Sequence, residues 1–134
     1  MNPKLIAFVC LHGSAKSLIA AEYLNRRASE RKLSLYATTS GPEPDAEVPI
    51  NVVEGLLRHN IDARRRRPER VTAAGLANAA QIISFGCDLG GLAPPGVAIE
   101  RWDDCPAVSD DFGVAWDFIT GRVEGLVDRM GERP

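Results

Sequence analysis

Short apolar runs alternate along the chain with longer stretches in which apolar residues recur at helical spacing. The first run, residues 5–9, has the length and the β-branched content of a strand that is buried on both faces. A polar loop separates it from residues 17–28, where Leu18, Ala21 and Leu24 share one helical face. This pattern predicts a strand, a tight loop and a helix in succession.

Three later apolar runs predict further strands at residues 33–37, 81–85 and 97–102. The first of these alternates between apolar and polar positions, and the second has the continuous apolar character of a buried strand. The third gives a weaker signal, because it follows a Pro-Pro-Gly turn and carries Glu100 and Arg101. The chain therefore has four predicted strands.

Helical spacing predicts three more helices. The second helix places Val52, Val53, Leu56 and Leu57 on one face. The short third helix runs to about residue 78, and the last has an apolar stripe between residues 112 and 130. Several residues at the ends of these segments favour helix starts or stops. They are Pro49 and Asn60 for the second helix, Thr72 for the third, and Ser109 or Asp110 with Gly131 for the last.

Strands that alternate with helices indicate an α/β fold with a parallel sheet and right-handed crossovers. We expect a single doubly wound domain over residues 1–134, with four parallel strands in the order 2-1-3-4 and helices on both faces. In such sheets, ligands bind beyond the carboxyl ends of the strands. The loops at that edge carry Cys10, Cys87 and Cys105, so the three cysteines are expected to converge there.

Composition narrows the classes of function. The 134 residues are 45% hydrophobic and carry a net charge of −2, so they can bury a core and do not present the strongly basic character of nucleic-acid-binding proteins. No stretch approaches the roughly 20 apolar residues of a membrane span. The short apolar run near the N-terminus has no small-residue cleavage signal, so we do not expect it to be an export signal. Three cysteines without a short metal-ligand pair argue against disulfides and zinc. We expect a cytoplasmic protein without metal or cofactor.

The polar loop after the first strand is the strongest candidate for chemistry. Between a strand and a helix, the backbone N–H groups of residues 10–17 can surround an anion, and the helix dipole adds positive potential. This field favours the thiolate of Cys10, which is a nucleophile, while Lys16 supplies a cation and Ser17 a hydroxyl for the sulfur. The alternative, which the spacing alone leaves equally open, is that Cys10 is a small apolar residue ending a buried strand.

Residues 8–22, which include Cys-Leu-His-Gly-Ser-Ala-Lys-Ser and a following Ala-Glu, resemble the signature of the low-molecular-weight protein tyrosine phosphatase superfamily. The resemblance is strongest to the arsenate reductase branch, whose loop commonly reads Cys, any residue, then His-Asn-Ser-Ala-Arg-Ser. It continues in order through most of the chain. The other similar segments are residues 39–44, 60–62, 82–88 and 102–104, together with the last helix.

The resemblance implies roles for individual residues. Cys10 would be the nucleophile, and Lys16 stands where the family has an oxyanion-gripping arginine, although an ammonium lacks the planar fork of a guanidinium. The family carries Asp-Pro beyond the tryptophan as its general acid, which here favours Asp104, with Asp103 second. The loop residues expected to hold the oxyanion are Leu11, His12, Gly13, Ser14, Ala15, Lys16 and Ser17.

Arsenate reductases of this branch use a three-thiol relay, and Cys87 stands at the position of the second thiol. No third cysteine follows it closely in the sequence. The third thiol would therefore be Cys105 or belong to an external reductant, such as thioredoxin or a small thiol. The alternative is that Cys87 is only a small residue at a strand end.

Three functions follow from the resemblance. The first is arsenate reductase-like conversion of arsenate to arsenite. The second is hydrolysis of phosphotyrosine or small aryl phosphates through a phosphocysteine, which the missing third cysteine favours. The third is an oxyanion-binding module with weak or no catalysis, because Lys16 replaces the loop arginine. The run of arginines at residues 64–67 is expected to be a solvated loop, and docking of an acidic partner there is less favoured.

Overall fold

The computed structural model describes residues 3–131 of the chain, and within them the backbone forms four strands and four helices. Strands and helices alternate except where α2 and α3 follow one another and where β3 is followed by β4. In chain order the elements are β1 (Lys4–Val9), α1 (Lys16–Glu30), β2 (Leu35–Ser40), α2 (Ile50–Leu57), α3 (Ala73–Leu76), β3 (Ala79–Ser84), β4 (Ala98–Arg101) and α4 (Phe112–Gly131).

The strands form one parallel sheet in the order β2-β1-β3-β4, as the sequence predicts. Val9, the last residue of β1, lies opposite Ser40 of β2 and Ser84 of β3. Because these three strands end in one row, the loop that begins at Cys10 lies between the loops that leave β2 and β3. This row is the carboxyl edge of the sheet, where parallel α/β proteins bind ligands.

The two faces of the sheet are covered unequally. Ile6 and Phe8 of β1 pack into the larger core with residues of α1, α2 and α4. Ala7 and Val9 point to the other face, where a smaller cluster includes Leu76 of α3. Alternation of side chains along β1 therefore divides the interior into two cores, and the larger one lies on the side of the long helices.

The structure begins β2 two residues later than the sequence predicts, at Leu35 instead of residue 33. The reason is the end of α1, where Lys32 adopts a left-handed conformation with φ of 54° and the Leu33 N–H donates to Ala28 O over 2.8 Å. This pair of features is a helix-terminating motif in which the residue after the left-handed one packs back onto the helix. Leu33 is therefore an apolar residue of the helix end, and its apolar character misplaced the strand.

The cap of α4 also differs from the prediction of Ser109 or Asp110. The Val114 N–H donates to Asp111 Oδ1 over 3.1 Å, which makes Asp111 the capping residue. Two other predicted helix signals agree with the structure. Thr72 Oγ1 accepts a hydrogen bond of 2.9 Å from the Gly75 N–H, and Asn60 is left-handed with φ of 63°.

Candidate active site

Cys10 follows β1 directly, and its sulfur lies against the first turn of α1. Cys10 Sγ is 3.0 Å from Ser17 Oγ, and the Ser17 N–H donates to Sγ over 3.5 Å. Both contacts are buried, because Cys10 is 7% exposed and Ser17 is fully enclosed. The sequence predicts this pairing of hydroxyl and sulfur, and the start of α1 at Lys16 provides it.

A short chain of hydroxyl groups continues from the sulfur. Ser17 Oγ is 2.6 Å from Thr39 Oγ1, and Thr39 Oγ1 is 3.5 Å from the carbonyl of Gly13. A hydroxyl both donates and accepts hydrogen bonds, so the hydrogens of this hydroxyl chain can point in either direction. When they point toward Gly13 O, Ser17 Oγ can accept from a Cys10 thiol, and when they point toward the sulfur, Ser17 Oγ donates to a Cys10 thiolate. The hydroxyl chain can therefore stabilise either form of Cys10 without moving a heavy atom. Sequence reasoning missed Thr39, although it lies in a segment that resembles the family.

The backbone after β2 braces the Cys10 loop. Gly13 is left-handed with φ of 60°, and a Cβ added to it would lie 2.8 Å from Gly41 N. A Cβ on Gly41 would in turn lie 2.5 Å from Gly13 N, so two glycines allow the two backbones to touch. The Glu43 N–H donates to Leu11 O over 2.9 Å, which adds a hydrogen bond between the same two segments.

Three side chains join the same two segments. Ser14 Oγ donates to Asp45 Oδ2 over 2.6 Å, and His12 Nδ1 is 2.8 Å from Glu43 O and 3.7 Å from Asp45 Oδ1. A carbonyl oxygen only accepts, so His12 Nδ1 carries the hydrogen of this bond. Asp45 was absent from the sequence-based set. The sequence feature that could have identified Asp45 is its position a few residues after the end of β2, at the edge of the sheet where ligands bind.

A cavity of about 330 Å³ opens over the loop. A water molecule takes about 30 Å³ in the liquid, so the cavity has room for about ten waters. A tetrahedral oxyanion has only five heavy atoms, so the cavity is larger than such an ion needs. Polar and apolar residues both line it. The residues around it are Cys10, Leu11, His12, Ser14, Ala15, Lys16, Asp45, Pro49, Asn51, Val52, Phe85, Ala107, Val108 and Ser109.

Lys16 is half-buried and lines this cavity. Among residues 3–131 its ammonium group takes part in no ion pair. As the first residue of α1, it adds a full positive charge where the helix dipole is already positive. The cradle therefore combines backbone, helix end and one cation.

The structure does not bring the two aspartates predicted as acids to the cavity wall. Asp104 Oδ2 accepts from Arg122 Nη2 over 2.9 Å, and Asp103 Oδ2 accepts from Arg101 Nε over 3.1 Å. Both carboxylates are more than half exposed. The loop after β4 instead contributes residues 107–109 to the cavity.

The other two cysteines lie near Cys10 but outside the cavity lining. Cys87 is on the opposite face of the sheet, with its Sγ 3.7 Å from Val9 O and 3.6 Å from Ser84 Oγ. Burial raises the pKa of the Cys87 thiol, and the charge of Cys10 raises it further. Cys105 shares the larger core with Cys10, and burial raises its pKa to about 11 despite the opposing effect of Lys16. All three are free thiols.

Two classes of feature are absent from the part of the chain that the structure describes. No helix there has the length and apolar character needed to cross a membrane. The His, Cys, Asp and Glu side chains of residues 3–131 also form no group of three that could hold a metal ion.

No protein-family model matches the chain, and no curated protein gives a significant match. Solved structures do match it. A thioredoxin-dependent arsenate reductase from Corynebacterium glutamicum superposes with a TM-score of 0.83 at 23% identity, over 97% of this chain and 63% of that one. This chain thus spans less than two thirds of the Corynebacterium protein.

Two shorter structures match over nearly their whole length. An arsenate reductase from Archaeoglobus fulgidus has a TM-score of 0.74 at 25% identity, over 92% of this chain and 98% of that one. A low-molecular-weight protein tyrosine phosphatase from T. tengcongensis has a TM-score of 0.85 at 15% identity, over 94% and 99%. The chain therefore has the fold of the low-molecular-weight protein tyrosine phosphatase superfamily, which confirms the resemblance predicted from its motifs.

Proposed function

We propose that this chain, with its low-molecular-weight phosphatase fold, is an enzyme in which Cys10 attacks a tetrahedral oxyanion held by residues 11–17. The observation that carries the proposal is the setting of the sulfur. Cys10 Sγ contacts the Ser17 hydroxyl and N–H at a cavity that Lys16 also lines. Amide groups, a helix N-terminus and a cation around a nucleophile are the means by which enzymes stabilise an oxyanion during displacement.

The reaction we favour is reduction of arsenate to arsenite. The Cys10 thiolate attacks arsenic, and an oxygen leaves as water. A second thiol then attacks Cys10 Sγ, so the S–As bond breaks, its electron pair stays on arsenic as arsenite, and a disulfide forms. Cys87 is the candidate second thiol, because its Sγ lies 3.7 Å from the carbonyl of Val9, the residue before the nucleophile. It lies on the opposite face of the sheet from Cys10, so the loop after β3 would have to move for the two sulfurs to meet. An external thiol, such as thioredoxin or a small thiol, would return the disulfide to two thiols.

Hydrolysis of an organic phosphate ester is the second candidate, and the cavity favours it. Its volume of about 330 Å³ exceeds the need of a lone oxyanion, and Val52, Phe85 and Val108 provide apolar walls for an organic group. Cys10 would form a phosphocysteine, and water would release inorganic phosphate. Phosphotyrosine and small aryl phosphates fit this description.

Two assays on the purified chain separate the candidates. One follows arsenite formation from arsenate with a thiol reductant, and the other follows aryl phosphate hydrolysis. We expect Cys10→Ser to abolish either activity, whereas Cys87→Ser should abolish only arsenate turnover. Cys105→Ser is the matched control in the aryl phosphate assay, since Cys105 is as buried as Cys10 and lies in the same core. Loss of arsenate turnover alone in this variant would identify Cys105 as the third thiol. Wild-type protein that performs neither reaction, or that equals Cys10→Ser, would contradict an enzymatic role.

The third possibility is an oxyanion-binding module, and it depends on Lys16. An ammonium acts as a point charge and does not grip two oxygens as a guanidinium does, so alignment of the transition state is weaker. We expect Lys16→Arg to raise turnover by about tenfold. If phosphate raises the melting temperature while neither wild type nor Lys16→Arg turns over substrate, the module is the better description.

A further inference from the structure

The side chain of His12 takes no part in the reaction proposed for Cys10. It lines the same cavity as Cys10, and its Nδ1 is 2.8 Å from the carbonyl oxygen of Glu43. The carboxylate of Asp45 lies 3.7 Å from the same nitrogen, and its other oxygen accepts from Ser14 over 2.6 Å. The ring is thus held from one side by the segment that braces the loop.

This arrangement decides which nitrogen can exchange a proton. A carbonyl oxygen cannot donate, so Nδ1 holds its hydrogen in the neutral and in the protonated ring. Nε2 is then the nitrogen that can give or take a proton, and within residues 3–131 it has no hydrogen-bond partner. An imidazole nitrogen without another partner, at a cavity beside a reacting group, can act as a general acid and base.

The other candidates in the cavity suit this task less well. The Asp45 carboxylate already accepts the Ser14 hydroxyl hydrogen at one oxygen, and its other oxygen lies beside the His12 ring. Asp103 and Asp104 are directed at surface arginines and do not line the cavity. Lys16 supplies the positive charge for the oxyanion.

We propose that His12 Nε2 is the general acid and base of the Cys10 reaction. The inference rests on the proposed function. As the Cys10 thiolate forms a bond to phosphorus or arsenic, the bond to the leaving oxygen breaks, and the Nε2 proton passes to that oxygen. With a phosphate ester, neutral Nε2 then takes a proton from the water that attacks the phosphocysteine. The S–P bond breaks with its electron pair on sulfur, and the cycle returns to thiolate and imidazolium.

The test is a comparison of leaving groups with His12→Asn, because the asparagine Nδ2 retains the hydrogen bond to Glu43 O and Nε2 is lost. Phenyl phosphate has a poor leaving group that needs a proton, whereas 2,4-dinitrophenyl phosphate has a good one that does not. We expect kcat for phenyl phosphate to fall about 10²-fold and kcat for the dinitrophenyl ester to change less than about threefold. His59→Asn, at the other histidine of the chain, and Asp104→Asn should affect the two esters equally.

The outcomes separate this inference from the proposed function. Wild-type protein that turns over no ester and no arsenate would remove the function and the role of His12 with it. Turnover by wild type, with equal losses on both esters in His12→Asn, would overturn the role of His12 alone. So would a selective loss on phenyl phosphate in Asp104→Asn that is absent in His12→Asn.

A second measurement examines the ring directly. Nitrogen-15 NMR of the histidine side chains should show neutral His12 with its proton on Nδ1, and inorganic phosphate should shift the Nε2 resonance of His12 and leave that of His59 unchanged. His59 is a suitable reference because it stacks on Trp116 at 3.8 Å, outside the cavity lining. A neutral His12 protonated on Nε2 would overturn the assignment.

Discussion

Two loops reach the same edge of the sheet, and they are built differently. The loop after β1 touches the backbone after β2 through Gly13 and Gly41 and directs Cys10 and His12 at the cavity. The loop after β4 buries Trp102, Cys105 and Val108. It directs the carboxylates of Asp103 and Asp104 at surface arginines. The polar side chains of the cavity are therefore concentrated in the braced loop, while the other loop supplies mainly apolar wall.

The largest expected effect comes from the glycine contact that braces the first loop. Gly41→Ala places a methyl group 2.5 Å from Gly13 N, where only backbone could give way. We expect a loss of about 2–3 kcal/mol in the free energy of unfolding, measured with urea. Gly121→Ala in α4 is the matched control, because its Cβ meets nothing within 4 Å, and it should be neutral or stabilising. Equal effects of the two substitutions would break the comparison.

An alkaline pH series tests the buried side of the second loop. The folded chain keeps the Cys105 proton up to a pKa of about 11, whereas an ordinary thiol loses it at 9.0. The folded state therefore binds more protons between these values, and the free energy of unfolding should fall as pH rises from about 9 to about 11. The expected loss is about 2–3 kcal/mol. Cys105→Ala should flatten this slope, and an unchanged slope would show that Cys105 is not buried as described.

The hydroxyl chain behind Cys10 gives a smaller effect. Thr39→Val keeps the shape of the side chain but removes the group that lies 2.6 Å from Ser17 Oγ. We expect kcat to fall about tenfold, since one buried hydrogen bond is worth about 1 kcal/mol or somewhat more. Thr38→Val, at the exposed neighbour on the same strand, should change kcat little. If Thr39→Val and Thr38→Val have the same kcat, the hydroxyl chain does not assist the Cys10 thiolate.

The smallest expected effect comes from the exposed carboxylates. Asp104→Asn removes an ion pair with Arg122 at the surface, and such pairs contribute about 0–1 kcal/mol. We therefore expect kcat on aryl phosphates to change less than about threefold. A loss of about 10²-fold or more would mean that this loop moves inward during turnover, and the contrast between the two loops would then hold only for the free protein.

The fold followed from the sequence because its signals are local. The apolar run of β1 and the helical stripe from Phe112 onward specify buried elements, and alternation of strands and helices implies a parallel sheet. The prediction misplaced the start of β2 because Leu33 is apolar in either setting. Only the left-handed Lys32 before it shows that the residue belongs to the helix end.

The site was predictable where the backbone sets the geometry. Cys10, Lys16 and Ser17 share one strand–loop–helix turn, so their order along the chain fixes their neighbourhood. Asp45 and the partners of Asp104 were not predictable in the same way, because side-chain direction in a loop depends on contacts with distant residues. The Ser14 to Asp45 hydrogen bond and the Arg122 to Asp104 ion pair are contacts of that kind.

The outer strand β4 has a consequence for how copies of the chain meet. It is only four residues long, and three of them are exposed, including Ile99 at 46%. An open strand edge invites pairing with a strand of another molecule. Here Arg101 pairs with Asp103 and Glu100 pairs with Arg129, so charged side chains lie at this edge. Short length and charge are both features that disfavour intermolecular β-pairing, and at this edge of the sheet they coincide on the strand that leads into the second loop.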